Sequence, residues 1–265
     1  AAAHIHHRHP AGKWMLEYRM MRMDMAGLLD GTDRVATDIV SGASPGMPPL
    51  PDPARSYRMA PTDMTMDMHM LMLMASAGER LTLSLAITIP TGDIDQHVDT
   101  SMRGGGMEIR RRLKAGYPMQ LGSGTWNLVP SFTYAYHGDG VGVGLQASYS
   151  GCIGRNDNGY ALGDAIEVIG WTKHAIDRRL LGTLKVSFRD WGRIEGRDPE
   201  LDSTLAPTTD PTASGGRRLD LGFGFNAFFG NGHSLGIEFG VPVYQDLNGP
   251  QMRLNWLLSF SYQRM

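Results

Sequence analysis

The sequence predicts an all-β protein, a transmembrane antiparallel up-and-down β-barrel of roughly 10–12 strands, on three observations. Runs of about ten residues alternate strictly between apolar and polar or small side chains. Short and long connections alternate along the chain. Aromatic residues on the apolar face (Trp14, Trp126, Tyr136, Tyr149, Tyr262) fall near strand ends, as interfacial girdles require.

The strands follow in order. Segments 13–25 and 63–75 are methionine-rich. In 81–90, Leu81, Leu83, Leu85, Ile87 and Ile89 oppose Thr82, Ser84, Ala86 and Thr88. In 125–137, Trp126, Leu128, Phe132, Tyr134 and Tyr136 oppose Asn127, Ser131 and Thr133. Val141, Val143, Leu145 and Tyr149 oppose Gly142, Gly144, Gln146 and Ser148. Segments 163–174 and 182–192 alternate less cleanly. The last three, 217–229, 234–244 and 252–262, carry Phe223 and Phe225, Ile237 and Phe239, and Trp256 and Phe260 on their apolar sides. Turns at 76–79, 138–140, 176–179 and 230–233 are short. Stretches 26–62, 91–124, 151–162 and 193–216 are long and rich in Gly, Pro, Asp and Thr. A soluble sandwich or lipocalin-like barrel also alternates. Its outer face would not be so rich in glycine and small polar residues, which suit a lumen.

Composition excludes several classes. Of 265 residues, 42% are hydrophobic and 20% charged, so the chain is not of disordered type. A net charge of −2 argues against nucleic acid as a partner. One cysteine, Cys152, allows neither an internal disulfide nor a cysteine-rich zinc site. No apolar run reaches the length of a transmembrane helix. The opening AAAHIHHRHP has no hydrophobic signal core, the pattern of a cytosolic or already processed chain. Residues 1–12 read as a flexible His-rich tail and 13–265 as the barrel.

Several segments resemble a family of bacterial outer-membrane transporters related to the barrels of the MetA pathway of phenol degradation. They are YRMMRMDMAGLLDGTDRV (18–35), APTDMTMDMHM (60–70), ITIPTGDID (87–95), YPMQLGSGTWNLVPSFTY (117–134), NDNGYALGD (156–164) and GGRRLDLGFGFN (215–226). The resemblance implies an outer-membrane barrel of about a dozen strands. Such proteins carry another hairpin between segments like 79–86 and 87–93. Here the two abut, so either this chain is shorter or a segment between Ala86 and Ile87 is missing.

Orientation follows from the cost of charge in hydrocarbon, about 2–4 kcal/mol for a basic group at the midplane and less for acids. The face of Met64, Met66, Met68, Met70, Met72 and Met74 is uniformly apolar, so it is expected to meet lipid and to turn Asp67 and His69 inward. Trp14, Leu16, Tyr18 and Met20 form the apolar face of the first strand, which directs Glu17, Arg19, Met21, Met23 and Met25 to the lumen. The expected lumen lining is therefore Glu17, Arg19, Asp67, His69, Lys185, Arg189, Asp220, Glu238 and Arg253. Mixed signs suit a hydrated, salt-bridged interior rather than a ring selecting one ion. The basic stretch 103–114 is either a solvated loop, a constriction or a contact for anionic headgroups.

Thioethers ligate Cu(I), which makes Met21, Met23 and Met25 copper candidates. Against this stands methionine as an adaptable hydrophobe. His4, His6, His7 and His9 could chelate Zn, Cu(II) or Ni, or be a plain tail or tag remnant. No catalytic constellation is found: His137, His174 and His233 stand beside no nucleophile motif, and GSGTW (122–126) lacks the G-x-S-x-G spacing. The sequence thus reads as a non-enzymatic channel or transporter for a small solute in the bacterial outer membrane, with lipid and solute as partners. Two alternatives are a copper-handling barrel and a non-conducting barrel that anchors a periplasmic or surface protein complex.

Overall fold

The computed structural model describes residues 14–36, 57–75, 80–104, 107–138, 140–229 and 232–264, with backbone alone for 14–17, 70–75, 100–104, 107–111 and 137. The tail 1–12, with His4, His6, His7 and His9, lies outside the described residues.

The wall is a ten-stranded antiparallel sheet. Its long members are β1 (Trp14–Gly31), β3 (Asp63–Ala75), β4 (Leu81–Thr88), β7 (Trp126–His137), β8 (Val141–Ile153), β10 (Ala165–Ala175), β11 (Leu180–Trp191), β13 (Gly216–Phe229) and β14 (His233–Arg264). A short β2 (Asp33–Val35) hairpins back onto β1. The order is β2-β1-β14-β13-β11-β10-β8-β7-β4, with β3 also paired to β1. Consecutive long strands are neighbours in the sheet except β3 and β4, which share no ladder among the described residues, and the chain's first strand meets its last.

β14 supplies two arms. Residues 233–247 pair with β13 and residues 247–264 with β1. The chain reverses at Gly249, whose φ of +91 favours glycine. The arms approach closely: a Cβ on Gly240 would lie 2.9 Å from the Leu257 side chain.

The outer face is apolar and uncovered. Leu83 and Leu85 are 71% and 66% exposed, and Phe132, Leu145, Ile166, Leu184, Phe223, Phe225, Leu235 and Phe260 are exposed with them. In water each would forfeit much of the roughly 1.5–3 kcal/mol that burying such a side chain is worth. Hydrocarbon removes that penalty, so this surface belongs in a bilayer. Exposed Trp126, Tyr149 and Tyr244 stand towards the long-loop end, and Tyr18, Tyr134, Tyr136 and Tyr262 towards the short-turn end. Trp126 and Tyr136 are ten residues apart on β7. At about 3.3 Å per residue and a tilt near 40°, that is about 25 Å along the membrane normal, the height of an apolar band.

β4 is one continuous strand, paired with β7 from Leu81↔Tyr134 to Thr88↔Asn127. The strand runs through Ala86 and Ile87 without a break, so 81–86 and 87–88 are not separate strands. The long stretches carry strands of their own. Residues 91–124 contain a hairpin of β5 (His97–Gly104) and β6 (Met107–Lys114), and β9 (Tyr160–Ala161) pairs with β12 (Glu195–Gly196) across two other loops.

Candidate functional site

The inner wall is small, polar and charged. Gln146, Thr183, Lys185, Ser187, Asp220, Ser259 and Gln263 are all buried inside the sheet. Lys185 forms an ion pair with Glu238 across the β11–β13–β14 region, where glycine at 222 leaves space for the lysine stem. Arg218 lies 2.9 Å from Asp220. Arg189 sits between Glu167 and Arg218 in the cross-strand register, yet remains exposed, and its guanidinium is 5.6 Å from the Trp191 ring centre. Arg253 donates a hydrogen bond to Asn255 (2.8 Å), and Asn255 donates one to Asp24 (2.9 Å). Arg19 is buried opposite Ser261. Glu17 lies opposite Gln263 in backbone register. Positive and negative groups are mixed around this interior, so its field has no single sign.

Apolar groups interrupt the polar wall on β10. Ile169 and Trp171, both buried, project from β10 on the inner face and pack against Ala135. The Trp171 ring lies over Gly144; a Cβ there would sit 2.2 Å from it. This explains why 163–174 alternates poorly in sequence, since both its faces carry large apolar residues. Lys173 follows on the same face, buried and with no ion-pair partner among the described residues. It lines a cavity of about 290 Å³ at the short-turn end together with Gly142, Asp177, Leu181 and Phe228.

The β1–β3 ladder reverses the expected orientation of the methionine strand. Arg19, on the inner face, lies opposite Met70, while Met21, Met23 and Met25 lie opposite Met68, Met66 and Met64. Met21, Met23 and Met25 therefore share the inner side with Met64, Met66 and Met68, and Asp67 and His69 share the outer side with Arg22 and Tyr18. Both polar groups are satisfied there. Arg22 grips Asp67 through two hydrogen bonds of 2.7 Å, and the Tyr18 hydroxyl lies 2.7 Å from His69 Nδ1. The cost of outward charge was counted for Asp67 alone, without the partner that the adjacent strand supplies. Asp67 and His69 are removed from the lumen lining.

At the long-loop end, a cap is tied together by Lys114. Its amine lies 2.7 Å from Asp198, 2.8 Å from Asp95 and 3.1 Å from Glu200. Burial opposes the ammonium charge, but these carboxylates outweigh it and hold Lys114 well above the ordinary lysine range. Hydrogen bonds from Lys114 and Asn158 hold the Asp95 carboxyl below its ordinary value. The Tyr117 hydroxyl accepts a hydrogen bond from the Asp198 backbone N–H (3.1 Å), and the Tyr117 and Tyr160 rings meet edge-on at 4.8 Å. Burial pushes both tyrosine hydroxyls up. Tyr57 joins a second loop to the cap by donating to Asp210 (2.8 Å). None of this was visible in sequence, because Lys114 and Asp198 lie on different loops with no shared motif.

Among the described residues no group of three or more His, Cys, Asp or Glu could hold a metal ion. His174 and His233 stand on the wall, and His233 Nδ1 is 2.6 Å from the Tyr262 hydroxyl.

No family model matches the chain, and no curated protein does. Among solved structures the chain is similar to the COG4313 outer membrane channel from Pseudomonas putida F1, at 13% identity, with 96% of each chain covered and a TM-score of 0.57. The β domain of the Bordetella autotransporter BrkA aligns over 96% of this chain and 99% of that one, at 11% identity and a TM-score of 0.46. With the apolar exterior, the first likeness shows the fold: a β-barrel of the bacterial outer-membrane type.

Proposed function

We propose that the chain is a passive outer-membrane channel for a small solute, with no catalytic role. The observation that carries the reading is the contrast between the two faces of one sheet. The outside is continuous Leu, Ile, Val and Phe, while the inside holds Lys185–Glu238, Arg218–Asp220, Arg189 and a series of Ser, Thr and Gln. A barrel needs no ionisable interior for stability alone, since filling the space with apolar side chains would serve as well. Balanced charge along a hydrated wall lets a solute exchange water for protein groups without a deep trap. The likeness to an outer-membrane channel of the same fold supports this role.

The register of β1 and β3 favours a second reading, a barrel that handles a soft metal ion through thioethers. Conductance in planar lipid bilayers tests the first reading. Discrete single-channel steps are expected from the purified full chain; a barrel that inserts but passes no current would overturn it and leave a structural anchor instead.

A further inference from the structure

Three methionine pairs face one another across a single strand junction. Met21 lies opposite Met68, Met23 opposite Met66 and Met25 opposite Met64, in an unbroken ladder. Opposed residues in an antiparallel pair point to the same side, with Cβ atoms about 4.5–5.5 Å apart, and the next pair on that face follows after about 7 Å. Two adjacent pairs thus place four sulfur atoms around a space that the long, flexible methionine side chain can close upon.

Packing does not account for the arrangement. None of the six belongs to either buried apolar cluster of the described residues. Met21, Met23, Met25, Met64 and Met66 are half-buried and Met68 is 36% exposed, so all six are open to water or ions. A hydrophobe chosen to fill space would be covered. Lipid does not account for it either, because the methionines share the side of buried Arg19, while Tyr18 and Arg22 take the outer side.

Thioether sulfur is soft and uncharged. It binds Cu(I) or Ag(I) well and Zn(II), Ca(II) or Mg(II) poorly. We propose that Met21, Met23 and Met25 of β1, with Met64, Met66 and Met68 of β3, form a binding site for a soft monovalent cation of the Cu(I) type. Binding is ligand exchange alone. The ion leaves water or a carrier's ligands and accepts sulfur lone pairs, with no electron transferred and no proton released. A thioether has no proton to lose, so affinity is independent of pH between about 5 and 8, whereas imidazole ligands lose theirs below about pH 6.5.

The site does not depend on conduction, and its test uses no current. The full chain in detergent is titrated calorimetrically with silver nitrate, in chloride-free buffer, at pH 5 and 7.5. Equal affinity at both pH values is expected. Replacing all six methionines by leucine keeps volume and should keep the fold, which is checked by heat-modifiable migration. It should weaken Ag(I) binding at pH 5 at least tenfold. A second variant, His4, His6, His7 and His9 all to alanine, should keep the pH 5 binding. Unchanged affinity in a folded six-leucine protein would overturn the proposal, as would binding that disappears with the four histidines. If the leucine protein misfolds, single Met23→Leu and Met66→Leu variants give the same readout, each expected to weaken binding at least threefold.

Discussion

Replacing Lys114 by methionine isolates the energetics of the cap. Three carboxylates surround the amine, but they are not equal. Asp95 and Glu200 have side chains 62% and 68% exposed, and pairs of that kind are worth little in water. Asp198 is 2% exposed. Without Lys114 it becomes a buried charge lacking its counter-ion, a loss of about 3–5 kcal/mol when one partner of such a pair is removed. Carried into the cap's local opening equilibrium, this raises exchange by roughly a hundred- to several thousandfold. Hydrogen–deuterium exchange with mass spectrometry reads it directly. Peptides covering 116–120, 156–161 and 198–205 should lose protection, while β8, β10 and β11 keep theirs. Asp198→Asn added to the lysine variant should restore much of the protection by removing the orphaned charge. Equal loss in the cap and the wall would refute the reasoning, as would no loss at all, since either means that Lys114 does not join the loops.

Three further outcomes are expected. Trp171→Ala should raise single-channel conductance, because the ring covers the inner wall at Gly144; an unchanged conductance would mean that the narrow point lies elsewhere. Glu238→Gln should shift ion preference towards anions, since it leaves Lys185 without its partner, and reversal potentials under a salt gradient check this. Acid should loosen the cap. Asp95 titrates below its ordinary value, so its contribution is present above about pH 4 and is lost as pH falls through the lowered value. Lys114 titrates above its ordinary value, so its contribution is complete below about pH 10 and the alkaline side stays closed across the working range. Channel noise recorded from pH 7 down to about 2.5 should rise at the acid end in the native chain and show no acid step in Asp95→Asn.

The wall was legible because period-two alternation survives wherever one face meets lipid and the other does not. Leu83, Leu85, Phe132 and Phe223 could be assigned outward from their neighbours alone. Segment 163–174 resisted because Ile169 and Trp171 are apolar and face inward. Glu167, Lys173 and Arg218 were missed as interior charges; Glu167 and Lys173 stand at even spacing from Trp171, a signal that becomes usable only once Trp171 is known to face inward. The methionine strand was read inside out, since a single-strand rule cannot see that Arg22 neutralises Asp67 and Tyr18 satisfies His69. The cap is a long-range object. Lys114, Asp95, Asn158 and Asp198 come from three loops, and no local pattern announces their meeting.

The seam between β1 and the second arm of β14 also sets an order of events. Glu17 pairs with Gln263, so the two strands that complete this junction come from opposite ends of the chain. Every other long-strand ladder joins near neighbours in sequence, and β13 and the first arm of β14 can pair as soon as both are made. Relative to a four-residue turn, closing a loop of that length costs about 3–4 kcal/mol in chain entropy. Folding should therefore advance from local hairpins, with β1 and β3 docking last as a preformed unit. A chain stalled before that step would already hold the methionines paired across β1 and β3, but would leave open the edge of β1 that β14 covers.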